Sequence, residues 1–257
     1  MNTKFTTLCL AGLMAVAAAP SFAKEIKEIR WGVDGGYPPF DVLSPSGEIT
    51  GFDPDIAKAV CADLKARCVF VKQPFDSMIA ALNANKYDAV IASLNVTPER
   101  LKEVDFSDKY YSSSPRLVAR KGSPLQPTVA SLSGKVVGVQ SGSIHETYAK
   151  THWAGKGVKI ATYANQDNVF LDLASGRIDA SLQDNIQAET SFLRTDKGKN
   201  FAFAGPKLGG NATPVAIALR KNDPELKAAI NQAIAHIRAN GTYDKIQKKY
   251  FAFDIYN

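Results

Sequence analysis

Hydrophobic and polar positions along this chain fall alternately into a strand period and a helix period, and the alternation predicts the elements. Residues 29–33, Ile-Arg-Trp-Gly-Val, predict a strand that empties into the loop 34–40, which holds Asp34, Gly35, Gly36 and Tyr37. A hairpin turn is expected at 47–51, and a helix over 52–61 with acids and a proline in its first turn. A strand over 68–72 and a helix over 75–83, opened by Phe75, come next. Residues 88–93 are apolar with a polar exit at Ser93, which predicts a buried strand. Thr97-Pro98-Glu99 then supplies an N-cap, a proline pre-set for the first helical position and an acid in the first turn, so Arg100 sits about one turn beyond that strand. In open α/β sheets, ligands gather at the carboxyl ends of strands, where hydroxyls, free amides and helix N-termini favour an anion. This stretch therefore reads as a grip for a small carboxylate, although an ordinary strand–loop–helix with a surface arginine would use the same residues.

Residues 105–115 carry no strong period and read as a crossing between two units, ahead of a strand at 116–120. Ser143 followed three residues later by Glu146 predicts a capping box, with an amide-rich helix N-terminus behind it. The second unit closes near 201–206, and the breaker-rich 208–214 predicts a second crossing. A strand at 215–219 returns, followed by a helix that Asp223-Pro-Glu opens and Asn240-Gly241 closes, and by an amphipathic helix over 243–250. The chain thus leaves a first lobe, builds a second and comes back. The expected boundaries are 24–112 with 212–257 for one lobe and 113–211 for the other, with the two crossings forming a hinge.

An internal repeat strengthens the two-lobe reading. Leu82-Asn-Ala-Asn-Lys-Tyr-Asp-Ala89 and Leu173-Ala-Ser-Gly-Arg-Ile-Asp-Ala180 share the form Leu-x-x-x-basic-apolar-Asp-Ala, each between an amphipathic helical stretch and a strand. A weaker match pairs Gly32-Val33 with Gly138-Val139. Counting along the matched strands makes Ser93 equivalent to Asp184, and Asp34 equivalent to Gln140. Facing lobes would bring these strand ends together across one cleft.

The sequence of 257 residues has 31 basic and 25 acidic side chains, a formal net charge of +6. The two signs are interleaved throughout, so the excess reads as solvated faces rather than a nucleic-acid footprint. Residues 1–23 carry a lone Lys4, an apolar core and the small-x-small exit Ser21-Phe-Ala23, the pattern of a cleaved export signal. Cys9 is preceded by Leu8 and Thr7 rather than by a small residue and an apolar one, so a lipoprotein anchor is not expected. Cys61 and Cys68, in a compartment that permits oxidation, are most simply a local disulfide joining a helix end to the next strand. The histidines have no metal-ligand spacing, and no nucleotide loop of the Gly-x-x-x-x-Gly-Lys-Ser/Thr form is present, so any ATPase must be a partner.

These segments resemble the periplasmic solute-binding proteins of polar amino-acid ABC importers, family 3, above all the lysine/arginine/ornithine and histidine binders. The resemblance rests on Tyr37-Pro-Pro-Phe40, Gly51-Phe-Asp53, Tyr163-Ala-Asn-Gln-Asp167, Gly176-Arg-Ile-Asp-Ala180, Gly241-Thr-Tyr-Asp-Lys245 and Lys249-Tyr-Phe251. It implies the type II two-lobe α/β fold, each lobe a mixed sheet flanked by helices, a Cys61–Cys68 disulfide, and a monomer that hands its ligand to an inner-membrane permease/ATPase complex. It also implies hinge closure on a bound amino acid. Carried onto this sequence, Arg100, Ser93, Ser143 and the amide of Ile144 hold the α-carboxylate, Asp184 with Ser93 holds the α-ammonium, and Asn95 is a further polar residue of the binding site. Tyr37 and Phe75 sandwich the side chain, and Asp34 supplies the charge that discriminates a cation. No cofactor, metal or nucleic acid is implied.

Four features depart from the pattern. Ile144 stands where the subgroup usually has a small hydroxyl residue, Asn95 where it often has serine, and 208–213 is short. Gly35-Gly36 leaves room for a bulkier ligand side chain. His145, in the first turn of its helix, is expected to face solvent. Two alternatives share the fold: an opine or other amino-acid-derivative binder, and an enzyme of the cyclohexadienyl dehydratase type with Asp34 or Asp184 as the acid.

Overall fold

A computed structural model describes residues 25–210 and 212–256; the expected export signal, 1–23, lies outside the described residues. The first lobe starts with β1 (Glu28–Val33), the short strands β2 (Gly36–Tyr37), β3 (Asp41–Leu43) and β4 (Ile49–Thr50), and α1 (Phe52–Asp63). It continues through β5 (Arg67–Lys72), a 3-10 turn at Phe75–Ser77, α2 (Met78–Asn83), β6 (Ala89–Val90), α3 (Pro98–Glu103) and β7 (Asp105–Ser113). The second lobe holds β8 (Pro115–Arg120), α4 (Val129–Leu132), β9 (Val136–Gln140), α5 (Ile144–His152), β10 (Lys159–Tyr163) and α6 (Gln166–Ser175). After these come β11 (Ala180–Asp184), α7 (Asn185–Ala188), a π turn at Glu189–Leu193 and β12 (Phe201–Ala204). The return is β13 (Thr213–Leu219), α8 (Pro224–Ala239) and α9 (Thr242–Tyr250).

The two five-stranded sheets are ordered β5-β1-β6-β13-β7 and β10-β9-β11-β8-β12. In each, a central strand pairs in parallel with both neighbours, and the last two strands run antiparallel. The repeat seen in the sequence is therefore a repeat of topology. Its residues do the same work twice: Asp88 accepts from the Arg30 amide at 2.9 Å and Asp179 from the Val136 amide at 2.8 Å, each pinning the start of the central parallel strand. Gly32 and Gly138 also match. A Cβ on Gly32 would lie 2.6 Å from the Tyr87 ring, and one on Gly138 2.5 Å from Ile178 Cδ1. Tyr87 and Ile178 are the apolar residues of the repeated motif, so each glycine is the seat of its lobe's motif side chain.

Cys61 and Cys68 are bonded as expected, tying the end of α1 to β5. Three expectations need correcting. Residues 105–113 form a nine-residue strand of the first sheet rather than a crossing. That sheet is covered on both faces: Phe106 joins one core cluster while Tyr110 and Tyr111 join the other, and bulges in the pairing with β13 break strict alternation. The crossing is confined to the junction of Ser113, Ser114 and Pro115. The hairpin turn lies at 44–47, where the Gly47 amide donates to the Ser44 carbonyl at 2.9 Å, so Ile49–Thr50 is left free to be β4. Finally, the strand expected over 88–93 contributes only Ala89–Val90 to the ladder, because Ser93 turns into the left-handed region with φ 54°.

Candidate ligand site between the lobes

The carboxyl ends of β1 and β9 meet across the cleft. Gln140 Nε2 donates to Asp34 Oδ2 at 3.1 Å, so the two residues made equivalent by the repeat are in direct contact. Beside them lies a small cavity lined by Tyr37, Phe75, Ala92, Ser93, Asn95, Gln140, Ser143 and His145. Both lobes contribute to its wall. Further bonds cross the cleft around it: Ser141 to Asp76, Ser191 to the Pro38 carbonyl, and Arg100 to the Gly142 carbonyl.

Asp34 is 7% exposed, and burial pushes its carboxyl up to about 6. The Gln140 hydrogen bond and the charge of Lys72 oppose that rise, while Asp76 adds to it. At neutral pH the group is a buried anion with little protein charge compensating it, which favours a cation brought in by a ligand.

Ser93 is held in its left-handed conformation from two sides. Its hydroxyl donates to Asp53 Oδ2 at 3.0 Å, and its amide donates to the Tyr110 hydroxyl at 3.2 Å. Tyr110 in turn donates to Asp53 Oδ1 at 3.0 Å. Burial raises Asp53 to about 7 against these bonds. With its proton committed, Ser93 Oγ offers the cavity lone pairs, which suit an ammonium group. A non-glycine residue at positive φ beside a cavity is strain kept by surrounding contacts, and Asp53 is the residue that keeps it.

Arg100 is placed by the expected cap: Thr97 Oγ1 accepts from the Arg100 amide at 3.2 Å. Its Nη1 donates to the Asn95 carbonyl at 2.8 Å and its Nη2 to the Gly142 carbonyl at 3.0 Å, one in each lobe. The guanidinium carbon lies 5.8 Å from the centre of the Phe75 ring. Burial lowers the group to about 10, so it remains cationic at neutral pH. Ser143 caps α5, accepting from the Glu146 amide at 3.1 Å while donating to the Gln140 carbonyl at 2.7 Å. Glu146 reaches back to the Gly142 amide at 2.7 Å, one residue earlier than the expected box.

Tyr37, Phe75, Ser93, Asn95 and Ser143 therefore line the cavity, and the other four expected residues do not. Asp34 is in contact with the lining residue Gln140, and Arg100 is hydrogen-bonded to the backbone of both lobes at the cleft. Asp184 and Ile144 sit farther from it. Asp184 is buried at 3% exposure but does not border the cavity. Its Oδ1 accepts from the Ile186 and Gln187 amides at 2.8 and 3.1 Å as the cap of α7, and Ser113 also hydrogen-bonds its carboxyl. Ile144 points into an outer groove shared with Arg100, Thr97 and Tyr148.

Two expectations change. His145 does not face solvent: it is 7% exposed and lines the cavity, because the first turn of α5 is covered by the opposite lobe. Burial and the charge of Arg100 push its imidazole down to about 3, so it is neutral, and no protein hydrogen bond engages its ring among the described residues. The space beside Gly36 is also taken, since a Cβ there would lie 3.2 Å from Asn165 Cβ of the second lobe. Among the described residues no cluster of His, Cys, Asp or Glu could hold a metal ion, and no helix is long and apolar enough to cross a membrane.

Two like lobes closing on a polar cavity define a solute-binding protein, and the chain belongs to the bacterial extracellular solute-binding proteins, family 3, whose pattern matches residues 29–253. It is 45% identical over 259 residues to the histidine-binding periplasmic protein of Salmonella typhimurium, covering 98% of this chain and 99% of that protein. It is 46% identical, with the same coverage, to the lysine/arginine/ornithine-binding periplasmic protein of Escherichia coli K12. Among solved structures, an ancestral arginine-binding protein bound to arginine superposes with a TM-score of 0.81 at 36% identity, covering 89% of this chain and all of that one.

Proposed function

We propose that this chain is the periplasmic receptor of an ABC importer that captures a cationic L-amino acid (arginine, lysine, ornithine or histidine) between its lobes and delivers it unchanged to a membrane permease/ATPase complex. The observation that carries the reading is Asp34, a buried carboxylate raised to about 6 beside a cavity flanked by Tyr37 and Phe75. A cationic side chain supplies the charge this site lacks, and the two aromatic faces favour a flat or cationic group. Arg100 takes the α-carboxylate by exchanging a backbone carbonyl for a charged partner, helped by Ser143, Asn95, the Ile144 amide and the neutral imidazole of His145. The α-ammonium falls to Ser93 Oγ, within the field of Asp184 and Asp53. Relatives named for histidine, lysine/arginine/ornithine and arginine binding support the assignment.

The lobes, 24–112 with 212–257 and 113–211, move about the two crossings between them, the first at Ser113–Pro115, and ligand selects the closed arrangement. The receptor acts as a monomer and binds no nucleic acid. Isothermal calorimetry against the four cationic amino acids, glutamine, glutamate and an opine tests the assignment. At least one cationic amino acid is expected to bind at roughly micromolar affinity or tighter, with the others weaker. Tighter binding of glutamine, glutamate or the opine would overturn it, as would turnover of prephenate or arogenate.

A further inference from the structure

We infer that Gln140 is the residue that selects a guanidinium over an ammonium in this site, by adding its side-chain carbonyl oxygen to the Asp34 carboxylate as a two-acceptor edge. The inference rests on the proposed cationic ligand and specifies which cation is preferred.

The orientation of the Gln140 amide follows from its partner. An ionised carboxylate only accepts, so the group 3.1 Å from Asp34 Oδ2 must be the amide NH₂. That fixes Oε1 as the other polar atom of the side chain, and no protein donor engages it among the described residues. Gln140 is 3% exposed and lines the cavity, so among the described residues Oε1 is left for a donor brought into the cavity. Asp34, with one oxygen engaged by Gln140, can no longer offer both oxygens freely to a fork of donors. A carboxylate oxygen of Asp34 and Oε1 of Gln140 replace that lost edge with one drawn from both lobes.

A guanidinium holds several N–H donors rigidly in one plane and meets two acceptors at once, while stacking flat against an aromatic ring. An ammonium on a flexible stem directs its donors tetrahedrally and keeps a stronger claim on water. Tyr37 and Phe75 line the same cavity, so a planar head reaching the Asp34–Gln140 edge keeps its faces against rings. Because the edge exists only when β1 and β9 meet, it also couples recognition of the side chain to closure.

Gln140 acts on Asp34 as well as on the ligand, and this separates its role from mere packing. Its hydrogen bond is the largest of the influences that keep Asp34 ionised. The charged and titratable groups around Asp34 are Lys72 and Asp76 from the first lobe, with Asp41 and Tyr37 of the same lobe also sensing its charge.

The test is calorimetry of wild type, Gln140→Met and Gln140→Leu with arginine, lysine and ornithine across pH 5–8. Gln140→Met keeps length and burial but removes the amide. Wild type is expected to bind arginine about tenfold or more tighter than lysine and ornithine, the worth of one hydrogen bond to a charged group. Both variants should lose about tenfold in arginine affinity but far less for the other two, and the pH midpoint of arginine binding should move above the wild-type value. Equal wild-type affinities for the three ligands would overturn the inference without any variant. Variants that keep both the arginine preference and the wild-type midpoint would overturn it too. If none of the three binds, the proposed function itself fails, an outcome distinct from both.

Discussion

Arg100→Ala is expected to abolish measurable amino-acid binding whatever the ligand side chain. The guanidinium is half-buried, remains cationic with a pKa of about 10, and joins the Asn95 carbonyl of one lobe to the Gly142 carbonyl of the other. Removing it deprives a buried α-carboxylate of its counter-charge and leaves two carbonyls at the cleft without a donor. Breaking a buried ion pair from one side costs about 3–5 kcal/mol, roughly two to three and a half decades in affinity. Arg100→Lys is expected to recover only part of this, since one ammonium cannot bridge both carbonyls and pair a carboxylate in a fork. Calorimetry with arginine, lysine, histidine and glutamine is the check: comparable losses for all four place Arg100 on the shared amino-acid backbone, and a loss confined to one ligand would remove it from that role.

Asp34→Asn should divide the ligands instead. Arginine, lysine and ornithine lose the anion that their side chains neutralise, at a cost of about 3–5 kcal/mol, while a neutral ligand such as glutamine loses little or gains. Acid should imitate the substitution. With its carboxyl at about 6, Asp34 is ionised at pH 8 and mostly protonated at pH 5, so arginine affinity should fall about tenfold over that interval. The empty protein should respond in the opposite direction. A folded-state pKa above the ordinary 3.8 gives this group a stabilising contribution fully present below 3.8 and lost as pH rises through about 6. Mild acid should therefore stabilise the unliganded receptor while weakening arginine. Asp34→Asn is expected to flatten both trends, as read by calorimetry and by thermal unfolding with and without ligand.

The site is legible in the sequence where its geometry is local. The cap Thr97-Pro98 fixes Arg100 one turn beyond its strand, and Ser143 fixes the start of α5, because both signals are completed within four residues. The repeat carries more: it aligns Asp34 with Gln140, and those residues are in contact across the cleft. The alignment puts Gln140 at a strand end facing the cleft without assigning it to the ligand, and its place in the cavity wall is seen only in the structure. Other residues are hidden because their surroundings come from distant chain. His145 looks solvent-facing on an isolated helix and is buried only by the opposite lobe. Asp53 reads as a first-turn acid of α1, yet its carboxylate holds Ser93, 40 residues later, in a strained conformation. Asp184 matches Ser93 in topology, but α7, with only four residues, announces itself by no period, so nothing in the pattern reveals that the carboxylate caps it. Residues 105–113 escape recognition as a strand because both faces of their sheet are covered.

The central claim, that a buried anion behind Tyr37 and Phe75 chooses a cationic side chain, is tested most directly by titrating the wild-type protein with arginine and with citrulline at neutral pH. The two ligands share length, planarity and amino-acid backbone, and differ by one charge. Arginine is expected to bind at least about a hundredfold tighter, the lower end of the cost of leaving Asp34 buried and unpaired. Citrulline binding as tightly as arginine would contradict the account.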